Sequence, residues 1–94
     1  KTLASEVAGD GITVNVVMPG RIHTQRVDEL DAAAAKRTDS DVAEVSAKSR
    51  ATIPAGRYGK PEEFADVVTF LASARASYVT GSRIRIDGGA IKGV

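Results

Sequence analysis

Ile12-Thr13-Val14-Asn15-Val16-Val17-Met18-Pro19-Gly20-Arg21-Ile22-His23-Thr24 is the stretch that sets the architecture. Ile12 to Val17 is β-branched and almost wholly apolar, the composition of a buried parallel strand rather than of one half-exposed to water. Pro19-Gly20 ends it and a short polar tail follows. In an open parallel α/β sheet, ligands bind just past the carboxyl ends of the strands. A Pro-Gly pair at such a place lets the backbone bend sharply and approach a flat ligand closely.

Upstream, Thr2 to Ala8 has the pattern of the last turns of a helix, with Leu3 and Val7 on one face, and Gly9-Asp10-Gly11 supplies the stop. Downstream, residues 21–53 are polar and Ala-rich. Val27 to Arg37 is expected to be helical, with Val27, Leu30 and Ala34 as its thin apolar pattern. Thr38-Asp39-Ser40 breaks it, and Asp39 or Ser40 is positioned to cap a second helix reaching about Thr52, carrying Val42, Val45 and Ala47. A segment with so little apolar surface is expected to be mobile, and residues 21–55 are read as a substrate lid. The bland alternative is a surface helical hairpin without function.

Ile53 to Gly59 is a turn-rich connector. Pro61-Glu62-Glu63 then starts a helix, since proline suits the first helical position and carboxylates complement the positive end of the helix dipole. Phe64, Val67, Val68, Leu71 and Ala72 form a core-facing stripe on it. Ser73 to Ser77 ends the helix. Ser82 to Asp87 alternates, with Ile84 and Ile86 on one face and Arg83 and Arg85 on the other. Asp87-Gly88-Gly89 closes this second strand. The order helix, strand, helices, strand is one βαβ unit with an enlarged crossover, hence a parallel pair.

The chain has 94 residues, a hydrophobic fraction of 43%, net charge +1 and no cysteine. That length allows at most one small domain. The balanced charge gives no reason to expect nucleic acid or a membrane surface as partner. Absent cysteine excludes disulfides, thiol catalysis and Cys-based zinc sites, and fits a cytoplasmic location. No apolar run approaches the ~18 residues of a spanning helix.

Four motifs, in order and over nearly the whole chain, resemble the short-chain dehydrogenase/reductase family: Asn15 to Thr24, Gly56-Arg57-Tyr58-Gly59-Lys60-Pro61-Glu62-Glu63-Phe64-Ala65, Phe70-Leu71-Ala72-Ser73, and Tyr78-Val79-Thr80-Gly81 leading to Ile86-Asp87-Gly88-Gly89. The branch most resembled is the 3-oxoacyl-carrier-protein reductase-like one. The resemblance implies that residues 1–94 are the C-terminal portion of a Rossmann-like doubly wound parallel α/β sheet. It implies NAD or NADP as cofactor, a small carbonyl or alcohol substrate, and a homo-oligomer, dimer or tetramer. Carried over by position, Pro19 and Gly20 lie against the nicotinamide, the Ile22 backbone bonds its carboxamide, and the Thr24 hydroxyl reaches the carboxamide or a phosphate.

The family's Tyr-x-x-x-Lys pair is missing. Glu62 stands four residues after Tyr58, and Ser82 four after Tyr78. No Gly-rich dinucleotide fingerprint is present, because a strand and not a helix follows Gly9-Asp10-Gly11. The expectation is therefore a nicotinamide-side segment without catalytic residues and inactive by itself, stable only beside the rest of its domain or another chain.

The remaining polar residues have plainer readings. His23 is a loop residue rather than a general base. Arg21 and Arg26 are solvated unless they meet an anion, and Glu62-Glu63 belong to their helix start. Asp87-Gly88-Gly89 is a turn or a subunit contact. Two rivals exist. One is a non-catalytic fragment acting at most as an interaction module. The other is a receiver-like α/β domain, disfavoured because no acidic cluster sits at a strand end.

Overall fold

In a computed structural model, residues 2–91 are described. Helix α1 (Thr2–Val7) runs into a 3-10 turn at Ala8–Asp10, and Gly11 ends it in the left-handed region at φ 76°. The Gly11 amide donates to the Ala8 carbonyl at 3.1 Å. Of the two glycines expected as the stop, Gly11 is the one whose backbone conformation requires glycine.

Strands β1 (Val16–Pro19) and β2 (Arg83–Ile86) pair in parallel, with Val16 opposite Arg83 and Pro19 opposite Ile86. The expected strand over Ile12 to Val17 is thus corrected: the ladder starts at Val16 and takes in Met18 and Pro19. The reason lies in the partner. Before Arg83 the partnering chain is a turn, where Gly81 sits at φ 71° and its amide donates to the Val14 carbonyl at 2.8 Å. The Val14 amide donates to the Thr80 hydroxyl at 3.0 Å instead of to a backbone carbonyl. Asn15 completes the splice, its Nδ2 donating to the Val79 carbonyl at 3.0 Å and its Oδ1 accepting from the Ser82 amide at 3.1 Å. The alternation expected for β2 is present, with Ile84 and Ile86 half-buried and both arginines exposed.

Between the strands lie α2 (Gln25–Thr38), α3 (Val42–Ala51) and α4 (Pro61–Leu71). Neither Asp39 nor Ser40 caps α3. Asp39 ends α2 in the left-handed region at φ 52°, which a short polar side chain tolerates, and Asp41 holds the cap position of α3. The buried row of α2 is Val27, Asp31 and Ala35, spaced four apart. The expected Leu30 is exposed and Ala34 only half-buried. In α3 no side chain is buried, and Val42 is exposed.

Helix α4 starts as its sequence dictates, with Pro61 in the first turn and the Glu63 carboxylate accepting from the Lys60 amide at 2.8 Å. Its apolar stripe forms but is not covered. Phe64, Val67 and Leu71 are half-buried, while Val68, Phe70 and Ala72 are exposed. The buried apolar residues are Ala4, Val27, Ala35, Ile53 and Ala76, mostly small and spread along the chain. The molecule is correspondingly long, 56 × 25 × 20 Å, with a radius of gyration of 17.1 Å. A compact domain of this length has about 12 Å. These residues present helix and strand faces without forming a hydrophobic core of their own.

Candidate functional site at the end of the first strand

Even-numbered residues of β1 face β2: Val16 donates to the Ser82 carbonyl and Gly20 to the Ile86 carbonyl, both at 2.9 Å. Odd-numbered backbone groups therefore point to the opposite edge, where the described residues supply no strand. Pro19 lies on that edge, where its missing N–H removes nothing from the β1–β2 ladder. Gly20 follows, and its lack of a side chain has a local cause. A Cβ built there would lie 2.6 Å from Asp87 Cβ and 2.7 Å from Asp87 Cα. The close approach is to the end of the neighbouring strand.

Beyond Gly20 the chain makes a one-residue parallel bridge to the connector. The Gly59 amide donates to the Arg21 carbonyl and the His23 amide donates to the Gly59 carbonyl, each at 2.8 Å. In a parallel bridge the bracketed residue's own groups face the other way. That residue is Ile22, and its amide and carbonyl have no partner among the described residues. Thr24 stands at the cap position of α2 in extended conformation. Its carbonyl accepts from the Asp28 amide at 3.1 Å, but its exposed hydroxyl makes no capping bond. A free donor, a free acceptor and a free hydroxyl thus lie within three residues, beside a helix start whose first amides are unsatisfied.

Ile22 itself lines a small cleft of about 110 Å³ with Arg21, Arg57, Gly59, Asp87 and Gly88, and two larger, more open clefts flank the segment. One, of about 510 Å³, is lined by Met18, Pro19, Gly20, Arg85, Asp87 and Ile91. The other, of about 420 Å³, is lined by His23, Asp28, Arg50, Tyr58, Gly59 and Lys60. The structure brings Pro19, Gly20, Ile22 and Thr24 together at one strand end, as a local segment must. His23 is tied down there, with its Nε2 2.9 Å from Asp28 Oδ1 and its ring stacked on Tyr58 at 6.2 Å between centroids.

Other residues secure this end of the molecule. Asp87 accepts from the Gly89 and Ile91 amides at 3.0 and 3.1 Å, so Asp87-Gly88-Gly89 is a closed turn. The Ala55 amide donates to the Gly88 carbonyl at 3.0 Å and joins the connector to it. Arg57 forms a forked pair with Glu63 at 2.7 and 2.9 Å. This pair, with the Lys60 amide second, holds the Glu63 carboxyl down to about 2 and raises the Arg57 guanidinium above its ordinary value. Sequence reasoning missed Asp31 and Tyr58, whose hydroxyl donates to Asp31 Oδ2 at 2.8 Å. A carboxylate on the buried row of a helix, with a tyrosine in the following connector, was the available signal.

Among the described residues no group of His, Asp or Glu is placed to hold a metal ion, and no helix is long and apolar enough to cross a membrane.

A family model described as "Enoyl-(Acyl carrier protein) reductase" matches residues 1–90. The 3-oxoacyl-[acyl-carrier-protein] reductase FabG of Thermotoga maritima is 48% identical over 91 residues, covering 97% of this chain and 32% of that protein. The short-chain reductase protein NovJ of Streptomyces niveus is 39% identical over 89 residues, covering 95% of this chain and 32% of that protein. YwfH, an NADPH-dependent reductase involved in bacilysin biosynthesis, superposes with a TM-score of 0.89 at 34% identity, covering 99% of this chain and 35% of that one. L-sorbose reductase from Gluconobacter frateurii, solved with NADPH and L-sorbose, gives 0.87 at 35% identity over 99% of this chain and 36% of that one. The chain spans about a third of the length of the curated relatives it matches.

Proposed function

Because this chain belongs to the short-chain dehydrogenase/reductase family, in its 3-oxoacyl-carrier-protein reductase-like branch, we propose that it forms the nicotinamide-side portion of an NAD(P)-dependent oxidoreductase. Its parallel α/β arrangement is part of the family's Rossmann-like sheet. The observation that carries the reading is the free amide and carbonyl of Ile22 with the free Thr24 hydroxyl beside them. A carboxamide offers one donor and one acceptor, and recognition requires the reverse pair at fixed positions. The Ile22 amide and carbonyl are such a pair, held rigidly because Gly59 grips both neighbours. The Thr24 hydroxyl adds a group that can donate or accept. Pro19 and Gly20 supply a flat, side-chain-poor wall before it.

When bound, the dinucleotide would supply hydride to a carbonyl carbon or accept it from an alcohol carbon. This chain's residues bind and orient the pyridine ring, and residues 21–55 cover the substrate. Neither tyrosine has a lysine four residues on, so the proton transfer is assigned to residues outside these 94. The uncovered stripe of α4 and the outer edge of β2 serve the rest of the domain and a subunit contact. Cytoplasmic location and the choice between NAD and NADP belong to the same proposal.

Thr24→Val in the full-length protein tests it, by titration of the reduced dinucleotides followed in fluorescence. One lost hydrogen bond predicts affinity lower by roughly fivefold. Unchanged affinity for both NADH and NADPH removes Thr24 from the site. The 94-residue segment alone is expected to oxidise neither.

A further inference from the structure

Asp31 is the one buried charged side chain among the described residues, 6% exposed, and it lies on the inward row of α2 between Val27 and Ala35. A buried carboxylate without a donor is costly, so its partner has consequences for the whole helix. That partner is the Tyr58 hydroxyl, at 2.8 Å. Tyr58 makes a second contact through its ring, stacked on His23 with 21° between planes. His23 in turn is 2.9 Å from Asp28, in the first turn of α2. Finally, Tyr58 directly precedes Gly59, whose amide and carbonyl bracket Ile22.

One side chain therefore touches the loop before α2 through its ring and the second turn of α2 through its hydroxyl, while its neighbour fixes the backbone between. Asp31 is seven residues beyond Thr24, two helical turns along the same face. A tilt of α2 at Asp31 is carried to Thr24. We infer that Tyr58 is a positioning residue, setting the separation between the free Ile22 backbone groups and the free Thr24 hydroxyl through its bond to Asp31 and its stack on His23. This rests on the reading that those groups hold the nicotinamide. Tyr58 itself touches no reacting atom in this scheme.

Tyr58→Phe keeps the ring and removes the hydroxyl. In the full-length protein we titrate the reduced dinucleotide and, as a probe lacking the pyridine ring, ADP-ribose or its 2′-phosphate to match. Tyr58→Phe is expected to weaken the dinucleotide roughly fivefold, the equivalent of one hydrogen bond, and to leave the ring-less probe within about twofold. Asp31→Asn, which still offers the hydroxyl an acceptor, is expected to stay near wild type. Should Tyr58→Phe not fold, Tyr58→Phe with Asp31→Leu removes the buried charge as well, and the same selective loss is expected. Equal weakening of both probes makes Tyr58 a general structural residue and overturns the inference. Unchanged dinucleotide affinity in Tyr58→Phe overturns it alone if Thr24→Val still weakens binding. If Thr24→Val is also without effect, Thr24 leaves the site and this inference, which needs it, falls with it, while the Ile22 amide is tested by its own response to the dinucleotide.

Discussion

Gly20→Ala separates two reasons for a glycine at the end of β1. A methyl there would meet Asp87 Cβ at 2.6 Å and Asp87 Cα at 2.7 Å. Non-bonded carbons settle at about 3.5–4.0 Å, so the two chains must part by about 1 Å. Asp87 cannot yield freely, because its Cα is backbone and its carboxylate accepts from the Gly89 and Ile91 amides. Parting stretches the 2.9 Å bond from the Gly20 amide to the Ile86 carbonyl. Overpacking costs about 1–3 kcal/mol and the weakened bond up to about 1 kcal/mol, so a loss of about 1–4 kcal/mol is expected. Urea unfolding of the full-length protein, followed by circular dichroism with and without saturating dinucleotide, reads it. The midpoint should fall in both conditions. A glycine kept only for a ligand's approach would leave the unliganded midpoint in place and lower affinity alone. An unshifted midpoint without ligand therefore refutes the reasoning from Asp87.

Three other outcomes follow from the geometry. The Glu63 carboxyl is depressed to about 2, so its contribution is whole above the ordinary carboxylate value near 4.5 and is lost as pH falls through about 2. Wild type should thus lose stability between those values more steeply than Glu63→Gln, and parallel acid curves would contradict this. Asn15→Ala should cost about 1–3 kcal/mol, since it removes both bonds across the splice before β2; a change under about 0.5 kcal/mol in urea would contradict it. The isolated 94-residue segment, lacking a covered core, should show a broad transition and concentration-dependent association. A sharp, concentration-independent transition of a monomer, checked by light scattering, would contradict that.

What could be read before the structure was whatever depends on local pattern. The Pro61 helix start, the Ile84/Ile86 face and the Pro-Gly strand end all follow from spacing within a few residues, and the parallel pairing follows from the order of the elements. What could not be read depends on partners far along the chain. Asn15 lies in an apolar run, yet its amide bonds reach 64 and 67 residues on. Asp31 belongs to the buried row only because Tyr58, 27 residues later, supplies a donor. Leu30, the apolar residue expected on that face, is exposed. The α4 stripe was legible as apolar, but its cover is not among the described residues. At the candidate site, Pro19, Gly20, Ile22 and Thr24 came from the family resemblance, carried over by position. The reason Ile22 is presented is a bridge to Gly59, far along the chain, which no local pattern reveals.

The central claim is that the free Ile22 backbone edge receives the nicotinamide. Amide resonances of the ¹⁵N-labelled full-length protein test it most directly. Addition of NAD(P)H should shift the Ile22 N–H and slow its exchange with solvent, while the matched ring-less probe leaves it in place. If the dinucleotide binds and the Ile22 amide neither shifts nor gains protection, the pyridine ring lies elsewhere and the assignment of this edge is wrong.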